Sequence, residues 1–465
     1  MVFSSTEFLF LFLPALLILY YLPTIRGGGA FVRKWRNVVL LLFSVGFYAW
    51  GEPIFAFLML ASVLVNWATV ILMDRSQHKK AWLTATIVFD VLLLGVFKYA
   101  SFVSRNLAML AKNDALIVNI ALPIGISFFT FQMMSYVFDV YYGKAAVQRN
   151  PLYVSLYITL FPQLIAGPIV RYTEVEHDIL HRQETFFDVS EGVRRFIYGL
   201  GKKVLLANFL AQIADNAFDS MTDTSVMMAW LGAVAYTLQL YFDFSGYSDM
   251  AIGLGRMFGF HFSENFNYPY ISKSVTEFWR RWHITLSSWF RDYVYIPLGG
   301  SRVSKLRFAR NLLVVWLLTG IWHGANWTFL LWGILYFAIL LLEKTTGFSE
   351  KLGRVSCIYT LTAVTLLWVL FRAESISAGL IYLGHMFGIG SSEVIGQDFI
   401  VSIKGTYVVL LASFVGATPA VSKLFSYLRG RGSEWLEHLW LLVIFALSVL
   451  EVVCASYNPF IYFNF

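Results

Sequence analysis

Long apolar runs alternate with short polar segments along almost the whole chain. A helix that crosses a bilayer needs about 20 predominantly apolar residues, and several of the runs approach that length. The pattern therefore predicts an all-α, multi-pass membrane protein with roughly 11 to 13 membrane segments, the shorter of which are half-helices or re-entrant elements. The predicted segments are residues 8–22, 38–50, 54–73, 82–102, 124–142, 152–166, 204–218, 227–242, 312–322, 327–342, 358–371, 407–421 and 440–454.

Composition excludes an ordinary soluble domain. Hydrophobic residues make up 58% of the chain and charged residues only 14%, whereas charged residues are about 25% of a typical soluble domain. No long linker, low-complexity stretch or soluble domain interrupts the apolar pattern. We therefore expect a single membrane-embedded domain over residues 1–465.

Basic residues collect in two of the loops, which predicts the orientation of the chain. These residues are Arg26, Arg33, Lys34 and Arg36 after the first apolar run, and Arg75, Lys79 and Lys80 after the third. Loops rich in lysine and arginine stay in the cytoplasm, so we expect the N-terminus on the periplasmic side. The net charge of +7 then faces anionic lipid. Nucleic acid is not an expected partner, because the basic residues do not form one soluble face.

The block over residues 239–310 differs from the rest of the chain because polar and charged residues recur among its aromatic residues. Asp243 and Asp249 lie there in a hydrophobic setting. Irregular or polar backbone at membrane depth is tolerated only where protein or water covers it. We therefore expect a re-entrant element that lines a cavity. Within it, residues 276–295 are predicted to form one helix, and its apolar face is expected to carry Phe278, Trp282, Thr285 and Trp289.

His323 is the most informative single residue, because it follows Trp322 between two strongly apolar stretches. Ionisable groups inside membrane segments usually face a cavity and take part in function. A neutral imidazole accepts a proton from a hydroxyl near neutral pH, so His323 is a candidate general base. His283 lies 40 positions away, and only the fold could bring the two histidines together. The alternative is a pair of structural core histidines.

Other polar residues are weaker candidates. Arg280, Arg281 and Arg291 could bind phosphates, although the residues alone favour arginines that reach the lipid headgroups. His177 and His181 share a helix face, but the pattern favours a solvated surface over a metal pair, and we expect no metal. The two cysteines lie in apolar stretches and form no metal motif.

Several longer motifs resemble the membrane-bound O-acyltransferase (MBOAT) family, and within it the bacterial branch that serves alginate O-acetylation. The resemblance covers nearly the whole chain, and its motifs occur in the family's order. The matching segments are residues 1–5, 122–128, 161–168, 241–255, 264–270 and 277–295, Trp322-His323-Gly324-Ala325-Asn326, and residues 458–463.

The resemblance implies a multi-helix enzyme of the bacterial inner membrane, with a central tunnel and a catalytic core over residues 120–345. It makes His323 the catalytic residue and His283 the second histidine of the site. Acetyl-CoA is the expected acetyl donor, at the cytoplasmic face. Supporting or substrate-binding roles are expected for a further set of residues. These are Asp243, Asp249, Arg280, Arg281, Trp322 and Asn326.

The expected product is an O-acetylated exported polysaccharide, made together with a separate periplasmic acetyltransferase of the SGNH-hydrolase type. Alginate, peptidoglycan, cellulose and another exopolysaccharide are all compatible acceptors. The branch that attaches D-alanine to teichoic acids shares the fold but matches the terminal motif less well. Two other classes stay open at this point: a secondary transporter, and a non-catalytic subunit of a polysaccharide export complex.

Overall fold

The computed structural model describes residues 1–23, 29–219, 224–391, 393–455 and 457–460. Arg26 of the first basic loop and Ile461, Tyr462 and Phe463 of the terminal motif lie outside the described residues.

The described residues form helices and turns and contain no strand, which confirms the all-α prediction. The chain divides into two compact units. The first comprises Met1–Phe196 and Ser248–Ser263, and the second comprises Ile197–Tyr247 and Glu264–Phe465. The single domain over residues 1–465 stays a prediction.

Helices of very different length follow one another along the chain. They are α1 (Leu13–Tyr21), α2 (Ala30–Ala49), α3 (Pro53–Arg75), α4 (Lys79–Ala111), α5 (Ile126–Tyr141), α6 (Pro151–Thr159), α7 (Phe161–Leu164), α8 (Tyr172–His181), α9 (Phe186–Gly201), α10 (Asn208–Asp219), α11 (Val226–Met257), α12 (Val275–Arg281), α13 (Ile284–Phe290), α14 (Lys305–His323), α15 (Trp327–Thr346), α16 (Phe348–Lys351), α17 (Ser356–Arg372), α18 (Ile376–Met386), α19 (Gln397–Gly416), α20 (Ala420–Gly430) and α21 (Glu434–Cys454). Turns of π-helix cover Phe8–Phe12, Lys202–Ala207 and Arg291–Tyr295.

Six helices of the described chain are long and apolar enough to cross a membrane. They are Pro53–Arg75, Lys79–Ala111, Trp327–Thr346, Gly353–Arg372, Gln397–Gly416 and Glu434–Cys454. Two shorter helices, Phe8–Tyr21 and Ile376–Met386, are also apolar. Of the other predicted segments, residues 227–242 lie within the 32-residue α11, residues 38–50 fall on α2, and the run over residues 152–166 divides into α6 and α7. The protein is therefore a multi-pass membrane protein.

A buried ionic network ties the N-terminal helices of the first unit to the segment after α8. The Arg182 guanidinium lies 3.3 Å from Oε1 of Glu184 and donates hydrogen bonds to the Tyr20 hydroxyl at 3.1 Å and to Oδ1 of Asn37 at 2.6 Å. Arg36 pairs with the second carboxylate oxygen of Glu184. Buried charges need such partners, because an isolated one is costly to remove from water.

In the second unit, α14 and α15 form a hairpin whose backbones approach closely through two glycines. A Cβ atom at Gly320 would lie 2.5 Å from the carbonyl oxygen of Phe329, and one at Gly333 would lie 2.5 Å from that of Trp316. No side chain fits at such distances, so only glycine permits this contact. The hairpin fixes the end of α14, where His323 is the last residue.

The prediction of one continuous helix over residues 276–295 is wrong, because the helix breaks at Trp282 and His283. α12 ends at Arg281, Trp282 is extended, and His283 has a left-handed backbone with φ 43° and ψ 55°. α13 then begins at Ile284 and passes into the π-helical turn at Arg291.

The break is held open by backbone bonds to the loop that precedes α12. The Asn267 amide donates to the Arg281 carbonyl at 2.9 Å, and the Ile284 amide donates to the Asn265 carbonyl at 2.9 Å. A left-handed residue other than glycine is uncommon and costs about 1–2 kcal/mol. Such strain persists only where the surroundings hold it, and it is concentrated at functional sites.

Candidate active site

His323 lies at the C-terminal end of α14 inside an aromatic enclosure. Its ring centre is 5.0 Å from Trp322, 5.1 Å from Trp332 and 5.1 Å from Phe371, and its side chain is buried. Three aromatic rings therefore enclose the imidazole at the end of the helix.

Trp322 brings the second histidine to the same place. The ring centre of His283 lies 5.9 Å from that of Trp322, and only 1% of His283 is exposed. His283 and His323 thus contact the same indole ring, although they are far apart in the sequence. The structure brings together the two histidines that the sequence singled out.

His283 is oriented by Asn265. Nδ1 of His283 lies 3.2 Å from Oδ1 of Asn265, and the same oxygen accepts hydrogen bonds from the backbone amide of Thr285 at 3.3 Å and from its hydroxyl at 2.9 Å. Asn265 is fully buried. Phe244 packs edge-on against the imidazole at 4.6 Å. Hydrogen bonding and packing together restrict the rotation of the ring.

Large aromatic residues from α12, α14, α15 and α17 surround the histidines. Trp332 contacts Trp279 at 5.7 Å, Trp316 at 6.0 Å and Trp368 at 5.8 Å. These rings are all buried. Exclusion of water from such an enclosure strengthens every electrostatic interaction inside it.

A basic, open cavity of about 500 Å³ lies beside this enclosure. Its charged lining residues are Arg280, Arg291 and Lys344, and Thr276, Ser287 and Ser288 add hydroxyl groups. Trp279 and Ile284 also line it. Trp279 contacts Trp332, which contacts His323, and Ile284 directly follows His283. Trp279 and Trp332 thus lie in sequence between the cavity and His323, and Ile284 connects the cavity lining to His283 along the backbone.

The two adjacent arginines of α12 differ in their surroundings. Arg280 lines the basic cavity. Arg281 instead donates to Oε1 of Glu277 at 2.9 Å and to the Asn267 carbonyl at 3.1 Å, and it is not among the residues that line the cavity. Arg281 therefore holds the helix break, and a phosphate-binding role is left to Arg280.

Asp243 forms a buried ion pair. Its Oδ1 lies 2.6 Å from Nζ of Lys203, and each side chain is 3% exposed. Lys203 also donates to the Pro459 carbonyl and lies 5.7 Å from the ring centre of Phe460. The pair connects α11 to the π-helical turn before α10 and to the C-terminal segment.

Asp249 and Asn326 make bonds that hold helices in place. Oδ1 of Asp249 accepts two hydrogen bonds from Arg195, the shorter at 2.8 Å, within the first unit. Oδ1 of Asn326 caps α15 by accepting from the Thr328 amide at 3.2 Å, and its Nδ2 donates to the Glu374 carbonyl at 2.9 Å. These contacts give both residues a structural role that requires no substrate.

The polar stretch over residues 171–195 forms α8 and part of α9. The ring centres of His177 and His181 in α8 lie 5.3 Å apart, with the ring planes tilted by 43°. The His177 side chain is 78% exposed. Among the described residues no group of three or more histidine, cysteine or acidic side chains could hold a metal ion.

Sequence reasoning missed three residues of this region. Asn265 belongs to one of the matching segments, but nothing in the sequence connects it with a histidine 18 residues later. Lys344 ends an apolar helix, where snorkelling explains any lysine. Lys203 could not be paired with Asp243, since nothing local connects them.

Comparison with known proteins identifies the class. Residues 146–351 match the MBOAT, membrane-bound O-acyltransferase family. Over the full length of both chains, the protein is 39% identical to "Probable alginate O-acetylase AlgI" of Azotobacter vinelandii and 40% identical to the protein of that name in Pseudomonas putida. It is 31% identical to "Peptidoglycan O-acetyltransferase" of Helicobacter pylori, over 100% of this chain and 98% of that protein.

The helical fold and the buried histidine pair fit a membrane-embedded acyltransferase. The chain belongs to the membrane-bound O-acyltransferase family.

Proposed function

We propose that the protein takes acetyl groups from acetyl-CoA at the cytoplasmic face and passes them across the inner membrane for O-acetylation of an exported polysaccharide. The observation that carries this proposal is the pair of buried histidines on Trp322 beside a basic cavity. The full-length relatives named as alginate O-acetylases favour an alginate-type acceptor. The relative named for peptidoglycan keeps that polymer as the second candidate.

In the proposed reaction His323 acts as the base. The hydroxyl oxygen of the acceptor attacks the thioester carbonyl, the hydroxyl proton moves to the imidazole, and the C–S bond breaks. The proton then passes to the departing thiolate, so the histidine is regenerated. In the alternative, the imidazole itself takes the acetyl group and then passes it to the acceptor. Both routes place His323 at the reacting carbonyl.

The basic cavity would receive the donor. CoA carries several phosphate charges and an adenine ring, and its thioester lies at the end of a long flexible arm. Arg280, Arg291 and Lys344 supply positive charge to phosphates, and the hydroxyls of Thr276, Ser287 and Ser288 supply donors. Arg291 is also paired with Asp292 at 2.6 Å, so Arg280 and Lys344 are the stronger candidates.

The acceptor side would involve a second protein. We propose a periplasmic acetyltransferase of the SGNH-hydrolase type, which would complete the transfer to the polymer. The basic loops after the first and third apolar runs favour a periplasmic N-terminus, under the positive-inside rule. The apolar faces of the spanning helices, which are largely exposed on the protein, would contact lipid. Membership of an acyltransferase family favours this reading over a transporter or a non-catalytic export subunit.

The test uses purified full-length protein in lipid vesicles with acetyl-CoA labelled in the acetyl group. We expect release of free CoA and appearance of label on an added polysaccharide, in the presence of the periplasmic partner. Vesicles that contain the His323→Ala variant are the control for non-enzymatic hydrolysis. If the wild-type protein neither binds nor consumes acetyl-CoA, with or without the partner, the donor assignment is wrong.

A further inference from the structure

The hydrogen bonds around Asn265 determine which nitrogen of His283 carries the proton. The two ends of an asparagine amide are normally hard to distinguish, and the tautomer of a histidine is assigned from its partners. Here the backbone amide of Thr285 points at Oδ1 of Asn265 at 3.3 Å. A backbone N–H can only donate, so this atom of Asn265 is the oxygen.

The imidazole must therefore donate to that oxygen. Nδ1 of His283 lies 3.2 Å from Oδ1 of Asn265, and two acceptors would repel each other at this distance. A neutral imidazole has one N–H, so a proton on Nδ1 leaves Nε2 as the nitrogen with the lone pair. This arrangement makes His283 an acceptor at Nε2.

We propose that Asn265 is a positioning residue that fixes His283 in the Nδ1-protonated tautomer, so that His283 accepts a proton or hydrogen bond from an acceptor hydroxyl. The left-handed backbone at His283 and the bond from the Ile284 amide to the Asn265 carbonyl hold the two residues face to face. The proposal rests on the acyl transfer proposed above. Where His323 is itself the base, Nε2 of His283 accepts a hydrogen bond from the attacking hydroxyl. Where His323 carries the acetyl group, Nε2 takes the hydroxyl proton and returns it to the CoA thiolate.

The tautomer decides between two roles for His283, that of a hydrogen-bond donor and that of an acceptor. A histidine with Nε2 protonated would donate to a carbonyl or thioester oxygen, whereas the Nδ1-protonated form receives a hydroxyl proton. When Nε2 takes the proton, the resulting imidazolium keeps its bond from Nδ1 to Asn265, so the amide oxygen stabilises the charge. The edge-on rings of Phe244 and Trp322 restrict the imidazole from rotating out of this geometry.

The first experiment observes the tautomer directly and needs no acetyl transfer. Full-length protein labelled with 15N-histidine is measured by solid-state NMR in lipid, and the His283 signal is identified by its absence from His283→Gln. We expect the Nδ1-protonated form in the wild type. We expect Asn265→Ala to shift the signal to the Nε2-protonated form or to a mixture. A wild type with Nε2 protonated, or a tautomer unchanged in Asn265→Ala, overturns the proposal.

The second experiment measures transfer as a function of pH. Asn265→Ala should lower kcat roughly tenfold or more, a part of the about 10²- to 10⁴-fold that acid–base catalysis supplies. Asn265→Asp keeps the acceptor oxygen and adds a negative charge, which raises the pKa of His283 and shifts the acidic limb of the pH profile to higher pH. Asn267→Ala, two residues away and exposed, is the matched control and should leave both kcat and the profile unchanged.

The two proposals fail in different ways. If the tautomer is as expected but the wild-type protein transfers no acetyl group, the proposed function is wrong, and only the finding that Asn265 fixes the tautomer of His283 stands. If the wild type transfers acetyl and Asn265→Ala does so equally well with an unchanged pH profile, the positioning role is wrong and the proposed function stands.

Discussion

The imidazole of His283 meets the indole of Trp322 edge-on, with the two ring centres 5.9 Å apart and the planes at 64°. The same indole contacts His323 at 5.0 Å. Trp322 directly precedes His323, whereas His283 arrives from the break between α12 and α13. The relative position of the two histidines therefore depends on one aromatic side chain.

Replacement of Trp322 tests whether its ring positions the two histidines. Trp322→Ala removes the ring that both imidazoles contact, and loss of a buried tryptophan costs about 3–5 kcal/mol. We expect a lower melting temperature in detergent and loss of acetyl transfer. Trp322→Phe keeps an aromatic edge and should retain part of the activity. The control is Trp435→Ala, since Trp435 is 63% exposed. Full activity in folded Trp322→Ala would show that the ring does not position the histidines.

The close approach of α14 and α15 predicts a strong effect of a single methyl group. In Gly320→Ala the new Cβ would meet the Phe329 carbonyl, so the helices must move apart, at about 1–3 kcal/mol for overpacking. His323 lies one turn later, and we expect acetyl transfer to fall together with thermal stability.

The matched control is Gly405→Ala in α19, where a Cβ meets no atom within 4 Å. Alanine is favoured over glycine in a helix by about 1 kcal/mol, so this variant should be as stable as the wild type or more so. If both glycine variants behave alike, close helix packing does not support the site.

The basic cavity predicts a change in donor binding without a change in chemistry. Arg280→Ala and Lys344→Ala should each raise KM for acetyl-CoA about tenfold, because a hydrogen bond to a charged group contributes about 1.5–3 kcal/mol. kcat should change little, since these contacts are equal in the ground state and the transition state.

Arg281→Ala removes the neighbouring charge and serves as the control, because Arg281 pairs with Glu277 and does not line the cavity. Its KM for acetyl-CoA should stay near the wild-type value. An equal increase of KM in all three variants would point to a general effect of net charge. An unchanged KM in Arg280→Ala and Lys344→Ala would show that acetyl-CoA does not bind in this cavity.

The buried pair of Lys203 and Asp243 predicts a non-additive effect on stability. Lys203→Met or Asp243→Asn alone leaves a buried charge without its partner, at a cost of about 3–5 kcal/mol. The double variant carries neither charge and should recover part of the loss. Melting temperatures of the three variants test this. Arg194→Ala, which breaks a half-exposed pair with Glu191, should change little. If the double variant lost as much stability as the two single variants together, Lys203 and Asp243 would not be energetically coupled.

Hydropathy predicted the parts of the fold that are set by local physics. A membrane helix satisfies its own backbone hydrogen bonds, so apolar length alone locates helices such as α3, α4, α15 and α17. The break at His283 could not be predicted in this way. It depends on hydrogen bonds to Asn265, 18 residues earlier, and these override a continuous helical pattern.

The candidate site was predictable to a similar degree. A histidine in an apolar setting is unusual enough to be found from sequence alone, and the family resemblance strengthened the case for His323 and His283. The partners of these residues were not predictable, because Asn265, Trp332 and Phe371 come from three separate segments. Only the fold shows that Arg280 lines a cavity, while Arg281 bonds to Glu277 and to the loop beside the helix break.

The central claim is that His323 carries the acyl transfer, and it is tested by acetylation of the exported polysaccharide in cells that produce His323→Ala. Membrane levels of the protein are measured in parallel, and His438→Ala, in an exposed part of α21, is the matched control. We expect acetylation to disappear in His323→Ala while the protein remains in the membrane, and His438→Ala to acetylate normally. Persistent acetylation with His323→Ala at normal levels would show that His323 does not carry the transfer.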